Sequence, residues 1–203
     1  MLNYNPRIKR LLDFVLSVTA FFLLSPLFLI TCVFIWMDSK GGAFFIHERI
    51  GRGMLPFRLI KFRSMTQASN LREVQFTPGD NHRITRVGRF LRKTKIDELP
   101  ELINIIKGEM SIVGPRPEVE KYVLAYSEDF KEIMQIRPGL TDFASIKYRD
   151  EENILASQPN AEIYYRDVIL PDKLSLAKRY VEQISLDTDL FILRNTLKSI
   201  IRK

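Results

Sequence analysis

Between Phe14 and Met37 the chain carries no charged residue, and the middle of that run is Ser25-Pro26. Twenty-four apolar or neutral residues are enough to cross a bilayer as a helix. Proline at the centre removes a backbone donor and crowds the preceding turn, so the helix must kink there. The flanks add a second constraint. Arg7, Lys9 and Arg10 precede the run, and Lys40, Arg49, Arg52, Arg58, Lys61 and Arg63 follow it. Positive residues stay on the cytoplasmic side, so both flanks are expected on one face. A helix that bends at Ser25-Pro26 and returns satisfies both, with the Ser25 or Thr31 hydroxyl serving the freed carbonyls. A simple signal anchor with a proline kink is the alternative. A cleaved signal peptide fits poorly, because the run exceeds an h-region and no small-x-small site precedes Gly41-Gly42.

The remaining residues predict one compact domain, 41–203, behind a membrane segment, 1–40. Residues 43–50 and 56–63 flank Gly51-Arg52-Gly53 and read as a β-hairpin. His47, one of two histidines, has no partner at metal-ligand spacing and reads as a surface or hairpin residue. Residues 66–82 are polar, with Pro78-Gly79-Asp80-Asn81, and read as a loop. Helices are expected over Ile84–Lys93, Glu98–Lys107 with Gly108 as its stop, 118–135, and most of the final third. Ser111 to Pro117 reads as a proline-bracketed rigid loop. The stripe Leu190, Leu193, Leu197, Ile200, Ile201 suits either a membrane interface or packing on the core. The expected class is α+β, mostly helical, with a short hairpin and interfacial amphipathic helices.

A net charge of +7 points to a polyanionic partner: nucleic acid, an anionic lipid surface or a phosphorylated small molecule. A single cysteine, Cys32, excludes an internal disulfide and a thiolate-rich metal site. Charge is densest at Arg83, Arg86, Arg89, Arg92, Lys93 and Lys95, immediately before Asp97-Glu98. Asp97 could simply cap a helix, although Pro100 leaves it only the Leu99 N–H to accept. Glu98 and Glu101 suit a helix dipole. Alternatively, a carboxylate kept ionised by nearby arginines could hold Mg²⁺ together with substrate phosphates, or attack phosphorus. Spacing alone leaves both readings open.

The ordered set is more specific than its parts. It comprises Ser25-Pro26, Lys61-Phe62-Arg63-Ser64-Met65, Arg86-Val87-Gly88, Asp97-Glu98-Leu99-Pro100, Gly114-Pro115-Arg116-Pro117 and Arg137-Pro138-Gly139-Leu140-Thr141. In this the chain resembles the bacterial sugar transferases, the small monotopic phosphoglycosyl transferases. The resemblance implies transfer of a sugar 1-phosphate from a UDP-sugar to undecaprenyl phosphate, with release of UMP, at the cytoplasmic face of the bacterial inner membrane. It implies Asp97 as nucleophile and Mg²⁺ ligand, and Glu98 as its dyad partner. It implies Lys61, Arg63, Arg92, Arg116 and Arg149 as binders of anionic substrate. It gives nucleic acid no part, and leaves open a homo-oligomer or association with downstream glycosyltransferases. Thr141-Asp142-Phe143-Ala144-Ser145 departs from the family's Thr-Gly-Trp-Ala-Gln stretch. The competing reading is a non-enzymatic basic adaptor for anionic lipid or nucleic acid, which leaves Asp97-Glu98 and Pro115-Arg116-Pro117 unexplained.

Overall fold

The computed structural model describes residues 5–66 and 83–201. Helix α1 (Pro6–Leu23) starts where Asn5 accepts from Arg7 N at 2.9 Å and Pro6 fills the first turn. It ends at Leu24, and α2 (Ser25–Asp38) leaves at a 60° bend. The bend has the expected cause: Pro26 has no N–H to give, and Ser25 Oγ donates to Phe22 O at 2.8 Å. Among the described residues no single helix is long and apolar enough to cross a membrane; α1 and α2 pass that test of length and composition only together.

Strands β1 (Phe44–Ile50) and β2 (Pro56–Phe62) form the expected antiparallel hairpin, with Phe45 opposite Lys61 and His47 opposite Leu59. Its loop turns through Gly53, at φ 69°. Beyond Thr66, the polar segment expected at 66–82 lies outside the described residues. Helix α3 (Arg86–Thr94) begins at Thr85, whose hydroxyl accepts from Gly88 N at 2.9 Å. A Cβ on Gly88 would stand 1.9 Å from Ser64 O, so only glycine lets this helix lie on the backbone that leaves β2. Phe28, Ile35, Phe62 and Leu91 form one core where the bent helix pair, hairpin and α3 meet.

The helix expected from Glu98 to Lys107 is broken. Ile96–Glu98 form a 3₁₀ turn, and α4 runs only from Glu101 to Lys107, with Pro100 as its N-cap. Pro100, which has no N–H to give, stands at the junction of the two. Gly108 stops α4 at φ 91°, as expected. The segment read as a rigid loop contains β3 (Ser111–Val113), which pairs in parallel with β4 (Gly139–Thr141). Residues 118–135 form two helices, α5 (Glu120–Ala125) and α6 (Ser127–Ile133), parted at Tyr126.

The final third is helical: α7 (Phe143–Lys147), α8 (Glu151–Ala156), α9 (Ala161–Tyr164), a π turn at Tyr165–Ile169, α10 (Leu170–Glu182) and α11 (Leu186–Ile201). The largest core joins Tyr122, Phe130, Met134, Tyr165, Ile169 and Leu174. Helix α11 packs through Ile192 and Asp189. The apolar stripe divides: Leu193 packs on the core beside Ile192, whereas Leu190 and Leu197 are 55% and 60% exposed. The whole is a mostly helical α+β fold.

Candidate active site

Asp97 owes its position to a reversal of the backbone. Lys95 closes α3 in the left-handed conformation, φ 58°, and turns the chain into the 3₁₀ turn that carries Asp97 and Glu98. Asp97 caps nothing. It is 9% exposed, and its Oδ1 has no hydrogen-bond partner among the described residues.

Glu98 is fully engaged. Lys61 Nζ of β2 donates to its Oε1 at 2.8 Å. Arg116 reaches it with both terminal nitrogens, NH2 to Oε1 and NH1 to Oε2 at 3.4 Å. Lys61 also lies 3.2 Å from Glu101 Oε1, an atom with no hydrogen bond of its own. Glu101 is 1% exposed and belongs to the site, although its sequence position suggested only a dipole partner. The available signal was spacing: residues 98 and 101 are one turn apart.

Arg116 is placed by a contact between backbones. A Cβ on Gly139 would stand 2.1 Å from Gly114 N, and one on Gly114 would stand 2.6 Å from Arg137 O. Gly114 N donates to Thr141 O at 3.1 Å and Gly139 N to Pro115 O at 2.9 Å. The two proline-glycine motifs are therefore halves of one clamp. The departing residue Asp142 completes it: buried, it accepts from Arg116 N at 3.3 Å and from Ser145 N at 2.7 Å.

The other expected binders divide. Arg92 holds Glu152 of α8, donating from Nε at 2.6 Å. Arg149 lies half-buried in the turn that leads into α8. Arg63 is not turned to the dyad. Its guanidinium donates to Ser39 O and Lys40 O, each at 2.8 Å, and closes the end of α2. His47, expected as a surface or hairpin residue, lies on the hairpin and is half-buried.

The electrostatics correct one expectation. Burial above all, with Glu98 beside it, pushes Asp97 up to about 6, against the pull of Lys61, Lys95 and Arg92. The strongly ionised member is Glu98. Burial would raise it, but Arg116 and Lys61 outweigh that and hold it well below the usual carboxylate range. Burial also pushes Glu101 up to about 7. The site thus pairs a satisfied anion, Glu98, with a buried carboxyl, Asp97, whose Oδ1 has no partner among the described residues.

Among the described residues no group of three or more His, Cys, Asp or Glu side chains is arranged to hold a metal. Mg²⁺ needs less, because it binds through one or two carboxylates plus substrate phosphates and water. The unpartnered Oδ1 of Asp97 fits that role, whereas Glu98 has its oxygens occupied by Lys61 and Arg116.

The chain is 35% identical over 197 residues to a UDP-N-acetylgalactosamine-undecaprenyl-phosphate N-acetylgalactosaminephosphotransferase of Aeromonas hydrophila, covering 96% of this chain and 44% of that protein. It is 39% identical over 142 residues to a UDP-glucose:undecaprenyl-phosphate glucose-1-phosphate transferase of Caulobacter vibrioides, covering 68% and 53%. It is 33% identical over 207 residues to the exopolysaccharide production protein ExoY of Sinorhizobium fredii, covering 95% and 84%. The chain therefore spans about half the length of the first and second of these, and most of the third. The family model for bacterial sugar transferases matches residues 4–203, and the chain belongs to that family.

Proposed function

We propose that the protein transfers a sugar 1-phosphate from a UDP-sugar to undecaprenyl phosphate. The observation that carries this reading is the buried, unpartnered oxygen of Asp97 beside a Glu98 already neutralised by Lys61 and Arg116. A carboxylate oxygen of Asp97 attacks the phosphorus that bears the sugar. The bond from that phosphorus to the bridging oxygen breaks, and UMP leaves with the electron pair. An oxygen of the acceptor phosphate then attacks the same phosphorus and frees Asp97. Lys61 and Arg116 lie where they can meet charge on the diphosphate, and Arg92 and Arg149 can exchange protein partners for substrate oxygens. Mg²⁺, held through Asp97, would neutralise phosphate oxygens.

A two-step route makes a specific prediction. Enzyme in detergent, given UDP-sugar and Mg²⁺ but no polyprenyl phosphate, should release a burst of UMP of about one per site and then stop. Chelation should remove the burst. Turnover that needs both substrates bound together, with no burst, would rule out the covalent step. No UMP under any condition would favour the adaptor reading.

The same reading places the bent helix pair in the cytoplasmic leaflet as a re-entrant segment. Both of its ends are fastened to the catalytic unit. Arg10 donates to Ile105 O and Ile106 O at 2.6 and 2.9 Å, and Asp13 accepts from Ser111 Oγ at 2.7 Å. At the other end Asp38 accepts from Val87 N at 2.9 Å, and Arg63 binds Ser39 and Lys40. A straight span would separate these anchors by the bilayer thickness, about 30 Å. Arg7→Cys and Lys40→Cys, each in a Cys32→Ser background, should therefore label from the same side of sealed vesicles. Labelling from opposite sides would disprove re-entry.

A further inference from the structure

His47 is a side chain beside the site that the mechanism does not use. Residues paired across an antiparallel ladder share a face, so Phe45, His47, Lys61 and Leu59 lie together. The imidazole stacks on Phe45, with ring centroids 5.1 Å apart. Lys61 on this face is the lysine that holds Glu98. The strand is also stitched to the chain just beyond Arg116: Ile50 N donates to Glu118 O at 2.9 Å, and Arg49 is paired with the Glu118 carboxylate. His47 is therefore near enough to Lys61 and Arg116 to feel the charge of both.

Its protonation is fixed by a neighbour that can only donate. Arg49 Nε lies 3.3 Å from His47 Nδ1, so Nδ1 must present its lone pair and the neutral ring carries its proton on Nε2. A second proton is disfavoured by burial first, then by Arg49, Lys61 and Arg116, which together push the ring down to about 2. The Nε2–H has no hydrogen-bond partner among the described residues. His47 is half-buried and its Nε2 is not among the buried unpartnered atoms, so the N–H reaches solvent, where an anionic ligand oxygen can replace water.

We infer that His47 Nε2–H binds a phosphate oxygen of the nucleotide-sugar donor, near Lys61 and Arg116. This rests on the transferase reading and adds a binding residue to it. A neutral donor supplies direction without a third positive charge, so it aligns the diphosphate without increasing its attraction to Glu98's partners.

Two substitutions separate the donor from the ring. His47→Phe keeps the stacking on Phe45 and removes the N–H, whereas His47→Gln keeps an N–H at similar reach. The measurements are KM for UDP-glucose or UDP-N-acetylgalactosamine, whichever the unmodified protein turns over, and Kd for UDP by calorimetry with Mg²⁺. His47→Phe should raise both by about 10-fold or more, with His47→Gln within about threefold and melting temperatures unchanged. Unchanged KM and Kd in His47→Phe would overturn the inference, as would equal impairment by the two variants. If neither sugar nucleotide is turned over, the transferase reading suffers, and the UDP titration alone still decides His47. Failure of the unmodified protein to bind UDP overturns both.

Discussion

Asp97→Asn should lower sugar-phosphate transfer by at least about a thousandfold and, at the same time, make the protein more stable. The first effect follows from loss of the attacking oxygen's charge. The second follows from its burial. Asp97 is pushed from an ordinary 3.8 up to about 6, chiefly by desolvation and then by Glu98, so the folded state holds its charge at a cost. The sign follows directly. Between roughly pH 4 and pH 6 the folded protein binds more protons here than the unfolded chain, so the unmodified protein loses stability as pH rises through that window. Asparagine has no charge to bury and escapes the loss. In chelator, the variant's advantage should therefore be small near pH 4 and reach about 1–2 kcal/mol at pH 7, or about 2–8 °C in Tm. Melting curves across this range would check it. A variant less stable than the parent at pH 7 would mean that Asp97 is a structural anion, and retained transfer would remove it as nucleophile.

Gly139→Ala should lose both activity and stability, for a different reason. Its Cβ would stand 2.1 Å from Gly114 N and 2.3 Å from Gly114 O. Both obstacles are backbone, which cannot rotate aside as a side chain can. The parallel pair β3–β4 must part, and the loop that carries Arg116 moves with it. A displacement of about 1 Å at Arg116 is enough to lose about 100-fold in transfer, and the strain should cost about 2–4 kcal/mol in stability. Gly53→Ala is the control. At φ 69° with open space around it, it should cost only about 1 kcal/mol and spare activity. Equal effects at the two glycines would show that conformational preference, and not the crossing of backbones, explains residue 139.

These two residues also show what was legible beforehand. The break at Ser25-Pro26 could be read because proline acts on its own turn. The hairpin could be read because Gly51-Arg52-Gly53 separates two strand-like runs. The end of α4 at Gly108 followed from the same local rules. The Asp97-Glu98 pair stood out by composition, but its environment did not. Lys95 in a left-handed conformation gives no warning, since lysine rarely adopts it. The three-residue strands β3 and β4 lie too far apart in the chain for a local pattern to show. Arg63 matched a motif, yet its guanidinium is committed to the end of α2.

The sequence by itself determined the bent apolar segment, the basic flanks, the hairpin and the identity of the two adjacent carboxylates. Each depends on sterics or periodicity within a few neighbouring residues. Tertiary structure alone decided that Glu98 is the neutralised anion and that Asp97 is buried with its Oδ1 unpartnered. That division depends on Lys61 and Arg116, brought in from either side in sequence, and on burial that raises one carboxyl while two cations hold down the other. Charge is a property of the assembled site, because its strength depends on distance and on exclusion of water, and folding sets both.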